Sequence, residues 1–279
     1  MNQSENQEKL QSAIRAIIAD LMDRVIKKIL IDDPFIKEKH HASKPLYAAL
    51  VPDEIFKGSH FERRFTTPFG QVWEKLAQAC AIAYHGHCSV NYMINGQIPE
   101  GRLKRIQEVL NKLEHSGKER ESPDWMREIS YIKKAGGQLI PISIICDLFI
   151  DSQKTGRKYS FELKGPLPNS DQTKVSKEKL FKLLAMTPAP VDYAYYALTY
   201  NPYGMREDYS WSHPQRWFNM KRDESVLIGD EFWELVGGEG TYKMLINEVN
   251  LLGQSYKERI YREFLGIEPI DDLNINILK

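Results

Sequence analysis

With 279 residues, 42% apolar and 27% charged, the chain has the composition of an ordinary globular protein and is long enough for one large core or two small ones. Its 38 Lys and Arg are balanced by 38 Asp and Glu, which excludes a protein that holds nucleic acid by bulk positive charge alone. A zero balance still leaves room for cations kept local to a cleft and offset by acids elsewhere.

The opening, Asn2 to Lys9, is polar where a secretory leader would be apolar. From Glu8 to Leu30, Leu10, Ile14, Ile17, Ile18, Leu21, Val25 and Ile29 recur at helical spacing and predict one long amphipathic helix, ended by Asp32-Asp33-Pro34. A second helix is expected after Gly70, with Trp73, Leu76, Ala77 and Cys80 in one stripe, and a third from Arg102 to Leu113. Cys80 is followed by His85, His87 and Cys88, which makes four soft ligands whose spacing is not that of a zinc finger. With Cys146 the cysteines number three, which suits a reducing compartment rather than a disulfide framework.

At Gln138 the pattern turns β-like: Leu139 to Ile150, a polar turn from Ser152 to Arg157, then Lys158 to Lys164. The first stretch is interrupted by Pro141 and Asp147 and is too short to span a bilayer, so a cytoplasmic protein without a membrane partner is expected. After a break from Gly165 to Asn169, Ser176 to Met186 reads as a helix and Tyr193 to Tyr200 as a strand. A short strand at Val226 to Ile228 follows, then a helix from Asp230 to Gly237-Gly238 and a final helix from Thr241 to Leu265. Strand, helix, strand implies a crossover. The expectation is one α/β domain over 1–279: a mainly helical layer in 1–130 and a mixed central sheet in 131–279.

The hairpin carries the chemistry. Symmetry about its turn, between Lys154 and Thr155, places Asp147 directly opposite Glu162, with Lys164 two residues further on the same face. Cys146, Leu148, Ile150, Tyr159, Phe161 and Leu163 then fall on the other face. Opposed carboxylates in so apolar a hairpin need a compensating cation. Hard oxygen ligands suit Mg²⁺, which makes Asp147 and Glu162 candidate metal ligands. A metal so held polarises a phosphate and activates water, and Lys164 can orient that water or stabilise the developing charge. Asp151 shares the face but lies beside the turn opposite Lys158, and the Pro52-Asp53 and Pro123-Asp124 pairs lie outside any pairing with Glu162.

This arrangement resembles the PD-(D/E)xK nuclease superfamily, where an acid on one strand meets an acid-x-Lys triplet on the next; here no proline precedes Asp147. The segments FELKGPLPNSDQ (161–172), YYALTYNPYG (195–204), SWS (210–212) and LIGDEFWELVGG (227–238) resemble the TdeIII-like family of type II restriction endonucleases. FERRFTTPFGQVWEKLA, from Phe61, is similar to a helix that adds an acid to the metal site in such enzymes, which makes Glu74 a further catalytic candidate. The resemblance implies cleavage of double-stranded DNA at palindromes of the GGNCC kind.

Asn169 and Gln172, after the second hairpin strand, are candidates for DNA contact, with turn chemistry around Pro168 as the competing reading for both. Between Tyr200 and Arg222, aromatics alternate with polar groups, and Asn201 and Arg206 are the candidate base-edge donors. A homodimer is expected, since two-fold protein symmetry would match a palindrome. A structure-directed repair or recombination nuclease and a non-catalytic DNA-binding protein remain as alternatives.

Overall fold

A computed structural model of the chain describes residues 3–115 and 121–269, which leaves Asn2 of the polar opening outside. Two units emerge, one of Met1–Leu76 with Lys243–Lys279 and one of Ala77–Tyr242. Among the described residues no helix is long and apolar enough to cross a membrane.

In the first unit, α1 (Gln3–Lys27) continues into a π-helical turn, Lys28–Asp32. The expected stripe is its buried side: Leu10, Ile14, Ile18, Leu21, Val25 and Ile29 are all in the core. Two short helices follow, α2 (Lys37–Ser43) and α3 (Pro45–Ala48), then the long α4 (Asp53–His85), whose residues from Ala77 onward belong to the second unit. This helix begins well before Gly70, contrary to expectation. Pro68 within it deprives one turn of a backbone hydrogen bond. A ridge of Phe61, Phe65, Phe69 and Trp73, one residue per turn with ring centroids 4.9–6.0 Å apart, packs across the interruption. The last helix, α9 (Thr241–Arg259), ends in a π turn, Ile260–Leu265. It is fastened to α1 by Arg15 with the buried Glu248, and by the Tyr256 hydroxyl, which donates to Asp23 at 3.1 Å.

The second unit is a five-stranded mixed sheet in the order β1-β2-β3-β4-β5. It runs through β1 (Cys88–Pro99), α5 (Glu100–Glu114), α6 (Trp125–Lys133), β2 (Leu139–Asp151), β3 (Lys158–Lys164), α7 (Ser170–Ala185), β4 (Tyr193–Leu198), β5 (Val226–Ile228) and α8 (Asp230–Gly237). β1, β2 and β3 pair antiparallel, and β3, β4 and β5 pair parallel, with α7 as the crossover between β3 and β4. Neither β1 nor α6 is evident from periodicity. The strand carries Asn91, Asn95, Gly96 and Gln97 and lies at the sheet edge, where polar residues and a terminal Pro99 are tolerated.

Helices cover both faces. On one, Leu180, Phe181 and Leu183 of α7 join Tyr196, Leu198, Phe149 and the α5–α6 residues Leu110, Ile129 and Ile132 in a continuous core. On the other, Phe161 meets Phe232 of α8 at 5.7 Å and Tyr159 meets His85 at 5.8 Å.

Candidate active site

The β2–β3 ladder has the expected register, pairing Asp151 with Lys158, Ile150 with Tyr159, Phe149 with Ser160 and Leu148 with Phe161. It stops one step short of Asp147 and Glu162. There the Asp147 carboxylate replaces the next backbone acceptor: its Oδ2 accepts the Leu163 N–H at 2.7 Å and the Lys164 ammonium at 3.0 Å. The ladder to β1 is interrupted at the same level, between the pairs Val90–Leu148 and Tyr92–Cys146. Asn91, in the gap, has φ of 49°, a left-handed conformation that Asn tolerates better than most residues.

The interruption resets the alternation of faces. Tyr92 stacks on Phe149 at 4.5 Å, and Cys146 joins the same buried cluster as Phe149 and α7. Cys146 therefore lies on the α7 side, not beside Leu148 as strict alternation predicts. Burial pushes its thiol up to about 11, beside Ser160 and Glu162.

Glu162 is 1% exposed, at the centre of the sheet. Burial raises its carboxyl above the usual range and Asp147 adds to this, while Lys164 and Lys179 oppose it. Lys179, from α7, donates to both Glu162 oxygens at 2.9 and 3.1 Å, and the Ser176 hydroxyl donates to Oε2 at 3.3 Å. Lys164 Nζ stands 3.7 Å from the same oxygen. Asp147, Glu162 and Lys164 thus converge, as their spacing in the hairpin predicts. Sequence reasoning missed Lys179 and Ser176. Three residues apart on a helix, they share a face, and a crossover after β3 had to lay that helix over Glu162.

Behind the site, Lys177 is wholly buried and ion-paired to Glu128 of α6 at 2.6 Å. It also donates to the Trp217 carbonyl and lies under the Phe218 and Phe181 rings at 4.9 and 5.2 Å. Burial lowers its ammonium from the ordinary lysine range and Glu128 opposes that shift. The loop 199–225 is pinned to the β3–α7 connection by hydrogen bonds from Tyr209 to Pro166 (2.7 Å), Trp211 to Pro168 (2.8 Å) and Trp217 to Ser170 (2.9 Å). Since β3 and β4 are parallel, this loop leaves the sheet at the end where Lys164 lies.

The remaining candidates divide. Asn169 is the N-cap of α7, its Oδ1 accepting the Gln172 N–H at 2.8 Å, while the Gln172 side chain is exposed in the first turn. Asn201 turns inward on its own loop, donating to Gly204 and Met205 carbonyls at 3.0 and 2.9 Å and accepting from Tyr203 N–H at 3.0 Å. Arg206 braces the loop: it pairs with Glu231 and donates to the Met220 and Asp223 carbonyls at 3.0 and 2.7 Å. That engagement does not fit open base-edge donors. Glu74 is half-buried on α4 in the first unit. Asp151 lies 3.9 Å from Lys158 beside the turn, Asp53 pairs with Lys37, and Asp124 caps α6. Both nitrogens of His85 are engaged, with Ser152 and the Leu235 carbonyl, and Cys80 and Cys88 are buried thiols.

Among the described residues no group of three or more His, Cys, Asp or Glu is gathered as a metal cage. The two carboxylates still fit Mg²⁺, which typically takes one or two protein carboxylates and completes its shell with waters and substrate phosphate. Two ammonium groups, Lys164 and Lys179, already balance the pair, so a metal ion there would bring an excess of positive charge.

A family model described as "HinfI: Type II restriction endonuclease, HinfI" matches residues 10–253. The chain is also similar to type II restriction enzymes of Herpetosiphon aurantiacus. It is 26% identical to HgiEI over 269 residues, covering 92% of this chain and 94% of the relative. It is 27% identical to HgiBI over 233 residues, covering 80% and 81%. The expected class is thus found, through the HinfI family model where the segments had suggested the TdeIII-like family.

Proposed function

Given that the chain belongs to the HinfI family of type II restriction endonucleases, we propose that it hydrolyses phosphodiester bonds of double-stranded DNA at a short palindrome, with Asp147, Glu162 and Lys164 as a PD-(D/E)xK-type catalytic centre. The observation that carries this reading is the convergence of two carboxylates on one ammonium at the break in the β2–β3 ladder, at 3.0 and 3.7 Å. A protein that only binds DNA has no need of a buried carboxylate so placed.

Each residue has a separate task. Asp147 is oriented by the Leu163 N–H, and Glu162 by Lys179 and Ser176, so both carboxylates are preorganised. Together they would hold Mg²⁺, whose chemistry is to polarise the scissile phosphate and lower the pKa of a bound water. Lys164, near both acids, donates to the attacking water or to the phosphoryl oxygens as charge develops. Glu74 is proposed as the additional acid on the strength of the segment around Phe61. Gln172, exposed beside the α7 cap, is the better placed of the two DNA-contact candidates there. Asn201 and Arg206 act by shaping the loop. The two units belong to one nuclease domain in this reading, and a homodimer would present two centres to the two strands of a palindrome, of the GGNCC kind implied by the segment resemblance.

Purified protein is incubated with unmethylated phage DNA with and without Mg²⁺, and the fragment ends are sequenced. Discrete Mg²⁺-dependent fragments sharing a palindrome at their ends are expected. A smear would replace sequence recognition with structure-directed cutting, and intact DNA under all conditions would sink the nuclease reading. Glu162→Ala and Lys164→Ala are each expected to abolish cleavage while duplex binding persists.

A further inference from the structure

The first unit contains a cleft of about 710 Å³ between the end of the π turn after α1, helices α2 and α3, and the start of α4. Its charged lining is four cations, Lys39, Lys44, Arg63 and Arg64, against two carboxylates, Asp32 and Asp33. Arg64 is committed: its Nε donates to Asp33 at 2.7 Å, which holds that carboxyl below the usual range. Lys39, Lys44 and Arg63 have no ion-pair partner among the described residues, and all three side chains are exposed. The wall beneath them is aromatic, with His40 packed on Phe56 at 4.1 Å and on Phe35 at 5.6 Å. The His40 Nε2 is buried without a hydrogen-bond partner.

Exposed lysine and arginine in a chain of zero net charge are ordinarily dispersed among acids, as the many paired surface cations here are. Three unpaired cations around one concavity make a local positive field, and a concave wall of low dielectric strengthens it. We propose that this cleft is a second DNA-contacting site, in which Lys39, Lys44 and Arg63 hold backbone phosphates of the duplex apart from the catalytic centre. The proposal rests on the reading of the chain as a duplex-DNA enzyme. Such contacts fix position and affinity but carry no sequence information. They leave a thermodynamic signature, because each neutralised phosphate releases condensed counterions and steepens the salt dependence of binding by about 0.9 in log–log slope.

The probe is a fluorescein-labelled random-sequence 30-bp duplex, titrated by anisotropy in EDTA between 50 and 200 mM KCl, so that no cleavage intervenes. Against the unsubstituted protein stands the triple variant Lys39→Gln, Lys44→Gln, Arg63→Gln, with each single variant alongside. Because all three side chains are exposed, circular dichroism is expected to be unchanged. The expected result is a slope shallower by about 2.7 in the triple variant and by about 0.9 in each single one, so that raising the salt weakens the unsubstituted protein roughly 40-fold more than the triple variant. An unchanged slope in a protein that binds the duplex overturns the cleft proposal and leaves the nuclease reading standing. Absence of salt-dependent binding by the unsubstituted protein also overturns the cleft proposal, whereas the nuclease reading is decided separately by the Mg²⁺ cleavage assay.

Discussion

Replacing Lys177 by Met tests whether a buried cation fastens the helix that holds Glu162. Methionine keeps the length and apolar stem but removes the ammonium 2.6 Å from Glu128, which is 5% exposed. Removing one partner of a buried pair costs about 3–5 kcal/mol because the other charge stays buried and unpaired, a large part of a total stability of about 5–15 kcal/mol. Glu128 is already raised from 4.5 by burial, with Asp223 adding to the rise and Lys177 the chief opposing charge. Without Lys177 its folded pKa rises further above the unfolded value. A carboxyl raised on folding binds its proton more tightly in the folded state, so its penalty is absent below the unfolded pKa and grows as pH climbs through the folded one. Urea denaturation followed by tryptophan fluorescence is therefore expected to show a deficit of about 1 kcal/mol at pH 5 and about 3–4 kcal/mol at pH 8. The double variant Glu128→Leu with Lys177→Met should recover most of the loss, since an apolar pair of similar volume carries no stranded charge. A deficit below about 1 kcal/mol at pH 8, or one independent of pH, would refute the reasoning.

Lys179→Met should lower the single-turnover cleavage rate about 10- to 100-fold, comparable to the loss of about 1.5–3 kcal/mol from one charge-assisted hydrogen bond to Glu162, with Lys179→Arg restoring part of it; equal rates in all three proteins would remove Lys179 from the site. Burial lowers the His85 pKa from 6.5, so the folded protein favours the neutral ring, and stability should fall as pH drops through 6.5 toward the folded value. Thermal melts from pH 8 to pH 5 on the protein and on His85→Gln should show a shallower fall in the variant, and parallel curves would exclude His85 as a source. Gly101→Ala would set a Cβ 2.4 Å from the Gly136 carbonyl oxygen, backbone that cannot swing aside; a loss of about 1–3 kcal/mol in the same urea assay is expected, and wild-type stability would contradict it.

The hairpin was legible because its information is local: a polar turn of fixed length sets the register, and a period of two sets the faces. The ladder has that register, and Asp147, Glu162 and Lys164 meet as their spacing demands. What local periodicity does not carry is the partner from elsewhere. The Asn91–Asp147 break reverses the face of Cys146, and it involves an edge strand too polar to announce itself. Lys179 and Ser176 reach Glu162 only because α7 crosses over the sheet, a tertiary fact. The same limit explains α4. Pro68 and Gly70 punctuate the sequence as a boundary, yet the aromatic ridge from Phe61 to Trp73 carries the helix through them. Arg206 and Asn201 had suitable chemistry for base edges, but their donors serve the loop that carries them.

The Leu163 amide is tied to a side chain of the neighbouring strand rather than to its backbone, since its acceptor is Asp147 Oδ2 at 2.7 Å. That makes one backbone nitrogen a spectator of the Asp147 carboxylate. Any ligand that draws Asp147 away leaves this N–H without its acceptor, and its nitrogen resonance and deuterium exchange rate would change while those of Ser160 and Phe161 in the intact ladder stay put. A single amide cross-peak would then report the state of the site without substrate turnover.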